Sequence, residues 1–221
     1  NDFFRVTHHN PANGYRGQEG VCYWFIYGDV LFLTFNNELM KTGDEAVAEA
    51  QAWASDVIKK EKGRYQRIFI AQHYQWFDGR NGKTNWYDRW KMFCDEHNVT
   101  LALSGNNHVY QRTHRLHADQ VADSEAEGTV YMVAPSSDGE RGVRAGPLTM
   151  NADKLANTYS SQVQSGDAQV KTIGCVLVDV RPDSIRTRLV ALDESKQVQV
   201  MDEHTFATMP KGANQDEAYR Q

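Results

Sequence analysis

The chain has 221 residues, of which 40% are hydrophobic, 24% charged and 11% aromatic. This composition is typical of a globular protein with a sizeable core, and it excludes a disordered or fibrous chain. The 24 Lys and Arg residues against 29 Asp and Glu residues leave a formal net charge of −5. The basic surface expected of a nucleic-acid-binding domain is therefore missing, and no apolar run has the length of a membrane span.

Three cysteines, Cys22, Cys94 and Cys175, are spaced too widely for a CxxC metal site or a disulfide framework. This spacing is compatible with two alternatives. The chain contains either one disulfide and one free thiol, or three free thiols. The chain begins with Asn1 and not with Met, so we expect its N-terminus to result from processing, proteolysis or design.

The first half of the chain predicts alternating strands and helices. We predict a loop over 1–20, hairpin strands at 21–27 and 30–35, a helix at 43–62, a strand at 67–71, a polar loop at 78–82, a helix at 84–97 and a strand at 99–103. This alternation indicates an α/β fold with some parallel pairing. Because both hairpin strands are apolar on both faces, we expect the pair to be buried.

The second half is β-rich. We predict strands at 129–134, 170–180, 184–192 and 198–201, with a long polar insertion at 135–169. The strand at 184–192 alternates, which indicates one wetter face. We expect one domain over 1–210 and a frayed tail over 211–221.

Two of the eight histidines lie close after the ends of predicted strands. His73 follows the strand at 67–71, and His108 lies just beyond the strand at 99–103. In open α/β sheets, ligands bind outside the carboxyl ends of the strands. The two imidazoles are therefore candidates for ligands of one metal. Arg112, His114, Arg115 and His117 alternate further on, and there we favour a solvated face over a second metal site.

Several segments of the chain match motifs of a known enzyme family. The segment at 101–113, Leu-Ala-Leu-Ser-Gly-Asn-Asn-His-Val-Tyr-Gln-Arg-Thr, resembles the strand that leads to Gly-His-x-His in the calcineurin-like metallophosphoesterases, in particular in their purple acid phosphatase branch. Residues 68–74 resemble the strand that delivers a single metal-binding His, and residues 23–38 resemble a tyrosine-rich hairpin with an acidic end. The closing strands fit the end of that domain. The resemblance covers nearly the whole chain in order.

The resemblance implies part of a β-sandwich with mixed sheets flanked by helices, in α/β/β/α layers. It implies that His73 and His108 are metal ligands and that Asn106, which stands where the family has another His, is a third. Asn106 has a second interpretation, as a residue that caps the turn. Arg80 and Lys83 lie where the family sometimes places substrate-contacting residues, although loop cations are usually only solvated.

The family motifs that precede the hairpin, such as Gly-Asp-x-Gly and Gly-Asn-His-Glu, do not occur in this sequence. We therefore expect the chain to be the C-terminal portion of the catalytic domain, with the N-terminal half missing. The implied function is metal-dependent phosphomonoester hydrolysis at two metal ions (Fe, Zn or Mn), inactive in this chain alone. No catalytic residue is assigned.

The alternative is a non-catalytic binding module that keeps the phosphoesterase fold. The implied partners are a phosphorylated small molecule or phosphoprotein, and a second copy or a retained N-terminal fragment that covers open sheet surface. Nucleic acid is disfavoured by the charge of −5. The family resemblance favours a periplasmic, secreted or cell-surface location.

Overall fold

The computed structural model describes residues 7–15, 17–78, 82–106, 109–123, 127–135, 155–160, 174–192 and 195–207. Its helices and strands are, in chain order, β1 (Tyr23–Tyr27), β2 (Val30–Thr34), α1 (Asn37–Met40), α2 (Asp44–Lys60), β3 (Arg67–Ala71), β4 (Phe77–Asp78), β5 (Gly82–Lys83), α3 (Asn85–Glu96), β6 (Leu101–Ser104), β7 (Val109–His117), β8 (Gln120–Val121), β9 (Thr129–Val133), β10 (Leu155–Ser160), β11 (Gly174–Val180), β12 (Ser184–Leu192) and β13 (Val198–Ala207).

The main sheet has the strand order β1-β2-β3-β6-β9-β7-β10, and β8 pairs with β7. Its centre is parallel, since β2, β3, β6 and β9 pair in parallel with their neighbours. The flanking strands β1, β7 and β10 are antiparallel. The parallel strands therefore end at one common edge of the sheet, which is where the candidate site lies.

Different elements pack on the two faces of the main sheet. Helices α2 and α3 pack on one face, around a core that includes Leu31, Leu33, Ile70, Ala54 and Trp90. The three-stranded sheet β11-β12-β13 packs on the other face. The described part of the chain thus forms α/β/β layers. This arrangement confirms the predicted mixed α/β sandwich. The second helical layer of the expected α/β/β/α arrangement is not among the described residues.

Local sequence explains the elements that were predicted. Helix α2 buries its apolar residues at helical spacing, and its acidic first turn and basic last turn complement the helix dipole. The β1–β2 hairpin turns through Gly28 and Asp29, and Gly28 adopts a positive φ of 60° that a side chain would strain. Along β12, Ile185, Thr187 and Leu189 are buried and alternate with more accessible residues, as predicted.

Three expectations were wrong. The hairpin is not wholly buried: β1 is an edge strand, and Phe25 and Tyr27 are exposed. The segment 135–169 is not all loop, because β10 pairs with β7 within it. Arg112 and Arg115 are buried on β7 rather than solvated, because their guanidinium groups find an aspartate and backbone carbonyls as partners.

Candidate functional site

The candidate site is the edge at which β2, β3 and β6 end. Residues 36–38 follow β2, residues 72–74 follow β3, and residues 105–106 follow β6. Because these strands are parallel neighbours, the three segments lie side by side. This is the part of an α/β sheet where ligands usually bind.

His73 lies at the centre of this edge and its side chain is exposed. Its backbone N–H donates to Asn37 Oδ1 at 2.7 Å. Its carbonyl accepts a hydrogen bond from the Gly105 N–H at 2.9 Å. A Cβ atom on Gly105 would lie 4.0 Å from His73 Nδ1, so the imidazole lies against the turn that follows β6. The backbone of His73 is fixed on both sides, while its imidazole remains available to a ligand.

Asn106 is the next residue of that turn. It has a positive φ of 65°, a conformation that Asn tolerates better than most residues. Its Nδ2 donates to Gln75 Oε1 at 2.8 Å. This geometry agrees with the turn-capping interpretation. It also agrees with the ligand interpretation, because a bond through Nδ2 does not occupy Oδ1.

The remaining predicted site residues are less completely described. His108 and Arg80 lie outside the described residues. Lys83 is in β5, where its backbone pairs with Phe77, and its side chain is outside the described part. The structure therefore brings His73 and Asn106 together and does not test the other three.

A cluster of charged and aromatic side chains lies next to His73 and was not predicted. The Tyr74 hydroxyl donates to Glu38 Oε1 at 2.6 Å, and Lys41 Nζ donates to the same oxygen at 2.9 Å. Lys41 also contacts the Tyr74 hydroxyl and lies 4.2 Å from the centre of its ring. The Tyr74 and Trp86 rings are stacked at 5.9 Å. The spacing of three residues between Glu38 and Lys41 is the sequence signal that indicates such a pair.

This cluster favours the ionised form of Glu38. The hydrogen bond from Tyr74 and then the one from Lys41 hold the pKa of the Glu38 carboxyl below its usual value. The carboxylate is thus already shared between a hydroxyl and an ammonium group. A cation bound at this edge would have to compete with Lys41 for it.

A pocket of about 390 Å³ opens beside His73. Its wall is formed by the ends of β1, β2 and β3, and it includes Tyr23, Thr34, Asn37 and Glu38. Most of the accessible surface inside the pocket is apolar, and the His73 imidazole lies at one side of it. The pocket can therefore hold a small, largely apolar group next to this imidazole.

The donors at this edge match one side of a metal site. Imidazole nitrogen and amide oxygen are ordinary ligands of divalent ions. Within the described ranges, however, no three or more His, Cys, Asp or Glu side chains gather where they could hold a metal ion. His73 and Asn106 therefore fit as partial ligands, and the described residues do not complete a centre for two metals.

No family model matches the sequence, and no curated protein matches it. Among solved structures, GAP50, the anchor in the inner membrane complex of Plasmodium, matches with a TM-score of 0.55 and 12% identity over 89% of this chain and 56% of that chain. The purple acid phosphatase PPD1 of yellow lupin (Lupinus luteus) matches with a TM-score of 0.49 and 12% identity, over 85% of this chain and 32% of that chain. A putative 5′-nucleotidase of Staphylococcus aureus matches with a TM-score of 0.34 and 11% identity, over 94% of this chain and 34% of that chain.

The chain thus spans about half of GAP50 and a third of the lupin phosphatase. In the described part of the chain, no helix has the length and apolarity to cross a membrane. At 12% identity, the match to GAP50 concerns the fold alone. Together with the parallel sheet, the second sheet packed on it and the helices on its other face, this match shows that the chain has the fold of the calcineurin-like metallophosphoesterases.

Proposed function

We propose that this chain forms part of a metal-dependent phosphomonoesterase, with His73, Asn106 and His108 as metal ligands. The observation that supports this most strongly is the hydrogen bond from the Gly105 N–H to the His73 carbonyl, at 2.9 Å. That bond joins the backbone segments that follow β3 and β6, and His73 and Asn106 belong to these two segments. His108 follows two residues later in the chain.

In the complete domain, His73, Asn106 and His108 would hold part of a centre for two metal ions (Fe, Zn or Mn), which would supply Lewis-acid chemistry for phosphate hydrolysis. His73 presents its imidazole from a fixed backbone, and Asn106 offers an amide oxygen. Arg80 and Lys83 follow β3 in sequence and would contact the phosphate by charge. The pocket beside His73 would accept the remainder of a phosphorylated small molecule or a phosphoprotein side chain.

The chain alone should be inactive. Carboxylates supply most of the negative charge that hard cations need, and the described edge offers only Glu38, which Lys41 and Tyr74 already hold. The complete protein would add the missing carboxylates. We further propose that the complete protein acts in the periplasm, outside the cell or at its surface.

The test compares the 221-residue chain with a longer form of the protein that carries the preceding segments. Calorimetric titration with Zn²⁺ and Mn²⁺ and hydrolysis of a chromogenic phosphomonoester are measured on both. We expect weak metal binding and no turnover from the chain, and both properties in the longer form. His73→Ala and His108→Ala should then lower activity by at least about a hundredfold, the scale of losing one major electrostatic contributor.

His114→Ala is the matched control, because His114 is exposed on β7 and lies outside the candidate site. Its activity should equal that of the unmodified longer protein. Turnover by the 221-residue chain alone, or full activity of the His108→Ala protein, would show that the site is placed wrongly.

A non-catalytic binding module is the second candidate. One observation favours it: the chain is similar in fold to GAP50, an anchor protein. Measurement of bound metal in the longer protein discriminates between the two. Two tightly held ions would support the enzyme, and a metal-free protein that is folded and binds a partner would support the module.

A further inference from the structure

The backbone that presents His73 leaves the sheet just before it reaches this residue. Strands β2 and β3 pair in parallel as far as Thr34 and Ala71, and the Phe35 N–H donates to the Ala71 carbonyl at 2.9 Å. Beyond this point β2 turns into α1. The backbone N–H groups of residues 73 and 74 therefore have no strand partner on that side, and such groups need another acceptor.

Asn37 provides that acceptor. Its Oδ1 accepts from the His73 N–H at 2.7 Å and from the Tyr74 N–H at 2.9 Å. The Asn37 residue is only 3% exposed, so solvent cannot easily replace it. One side-chain oxygen thus takes the place of the next residues of β2.

The Nδ2 group of Asn37 also has a partner, and this partner helps to fix the orientation of the side-chain amide. Its Nδ2 donates to Gln72 Oε1 at 3.0 Å, and Gln72 Nε2 donates to the Tyr74 carbonyl at 2.8 Å. The Gln72 N–H in turn donates to the Leu103 carbonyl on β6 at 3.1 Å. Two backbone donors point at Asn37 Oδ1, so the amide orientation is set by its partners. Residues 72–74 are held between α1 and β6.

We propose that Asn37 is a positioning residue for His73, which fixes the imidazole relative to Gly105 and Asn106 without touching a ligand itself. This inference rests on the proposed function, since it assumes that His73 binds metal. Residues that orient a metal ligand typically change metal affinity by about 10-fold to 100-fold when they are replaced. Asn37 acts through the backbone of His73, and its loss should have an effect on that scale.

Three variants of the 221-residue chain test the proposal. Asn37→Ser removes the acceptor, because the shorter side chain cannot reach both N–H groups. Asn37→Asp keeps an acceptor for both N–H groups and removes only the Nδ2 donor to Gln72 Oε1, so it tests the two N–H contacts separately from that donor. Asn36→Ala is the control for α1: Asn36 caps this helix by accepting from the Glu38 N–H at 3.1 Å, so its loss weakens the same helix but leaves the Asn37 contacts in place.

Two measurements are made on each variant. Amide hydrogen exchange, followed by NMR, reports the His73 and Tyr74 N–H groups directly. Titration with Zn²⁺ alone, followed on the His73 imidazole resonances, reports the affinity of that side chain for the metal. We expect Asn37→Ser to lower two quantities by about tenfold or more, the lower end of the range for orienting residues. These are the protection of the His73 and Tyr74 N–H groups against exchange and the affinity for Zn²⁺. Asn37→Asp should retain both properties, and Asn36→Ala should leave both near the unmodified values.

Unchanged exchange and Zn²⁺ response in Asn37→Ser would overturn the proposal, as would equal losses in Asn37→Ser and Asn36→Ala. His73→Ala has no imidazole at position 73, so its Zn²⁺ binding and that of the unmodified chain are compared by calorimetry, and this variant separates the inference from the proposed function. If His73→Ala binds Zn²⁺ as well as the unmodified chain does, the proposed function fails. If His73→Ala loses Zn²⁺ binding while Asn37→Ser retains it, only the positioning role of Asn37 is wrong.

Discussion

Arg112 and Asp202 form a buried ion pair that joins the two β-sheets. Arg112 is on β7 of the main sheet, and its Nε donates to Oδ2 of Asp202 on β13 at 2.8 Å, while its Nη2 donates to Oδ1 at 3.1 Å. The Tyr110 hydroxyl donates to the same carboxylate at 2.5 Å. The carboxylate therefore accepts these three hydrogen bonds between the sheets.

Asp202→Ala should lower the free energy of unfolding by about 3–5 kcal/mol, because it leaves the Arg112 charge buried without its partner. Urea unfolding measures this change. A double variant, Arg112→Met with Asp202→Leu, should lose less than Asp202→Ala alone, because both charges are then removed. Glu203→Gln, in the more exposed pair with Arg186, is the control and should stay close to the unmodified protein. Equal losses from Asp202→Ala and Glu203→Gln would contradict the account.

The stability of the protein should depend on the protonation of His97. This residue is 5% exposed, its Nε2 lies 2.8 Å from Ser55 Oγ, and the charged neighbours are Glu96 and Lys59. Burial lowers the pKa of His97 below its usual value of 6.5. As the pH falls below that value, the unfolded chain takes up a proton before the folded chain does. The free energy of unfolding therefore falls as the pH drops from the pKa of His97 in the unfolded chain to its lower pKa in the folded protein. The slope is no more than about 1.4 kcal/mol per pH unit.

His97→Gln removes this titration. We expect urea unfolding between pH 7 and pH 5 to show a smaller loss of stability in this variant than in the unmodified protein. His114→Gln, at an exposed position, should keep the full pH dependence. A pH dependence of His97→Gln identical to that of the unmodified protein would contradict the assignment.

The edge of β1 is covered by a side chain. Asn13 Nδ2 donates to the Trp24 carbonyl at 2.9 Å, and the Trp24 N–H donates to Asn13 Oδ1 at 3.0 Å. One amide thus satisfies both outward backbone groups of Trp24, as a neighbouring strand would. Gly14 allows this approach, because a Cβ atom there would lie 2.2 Å from the Cys22 carbonyl oxygen.

Asn13→Ala should therefore open the β1 edge and increase self-association, because an uncovered edge strand is a template for further pairing. Sedimentation velocity over a range of concentrations measures the effect. Asn10→Ala is the matched control, since Asn10 only donates to the Gly20 carbonyl within the loop. Equal association of the two variants would show that Asn13 does not protect the edge.

The open face of β1 should be an association surface. Phe25 is 38% exposed and Tyr27 is 78% exposed, and the Phe25 ring stacks on Phe32 at 4.7 Å. We expect a second copy or a retained N-terminal fragment to cover this face, and Phe25→Lys to weaken that association. Met92→Lys is the control, because Met92 is 76% exposed on α3. A protein that is monomeric at every concentration and binds no apolar dye would contradict this prediction.

The elements with local signals could be predicted from the sequence. The hairpin has a two-residue turn at Gly28 and Asp29, and β12 has a clear alternation of apolar residues. β10 was missed, because Leu-Ala-Asn-Thr-Tyr-Ser has little apolar alternation and its partner β7 is distant in the chain. The burial of Arg112 was missed for a similar reason, since Asp202 is 90 residues away.

The candidate site could be predicted only in part. His73 was identified because a single histidine follows a buried strand, which is a local pattern. The role of Asn37 was not predictable, because a polar residue after a strand indicates a turn just as well. Its contacts with His73 and Tyr74 depend on the parallel pairing of β2 and β3, which brings together residues 36 and 37 positions apart.

If His73 and His108 share one metal site, as proposed, the histidine rings themselves report it. The ring resonances of all eight histidines are followed by NMR while the 221-residue chain is titrated with small amounts of Mn²⁺, which broadens nearby nuclei even when binding is weak. We expect His73 and His108 to broaden together and before the other six. Broadening of His114 or His117 first, or equal broadening of all eight, would contradict it.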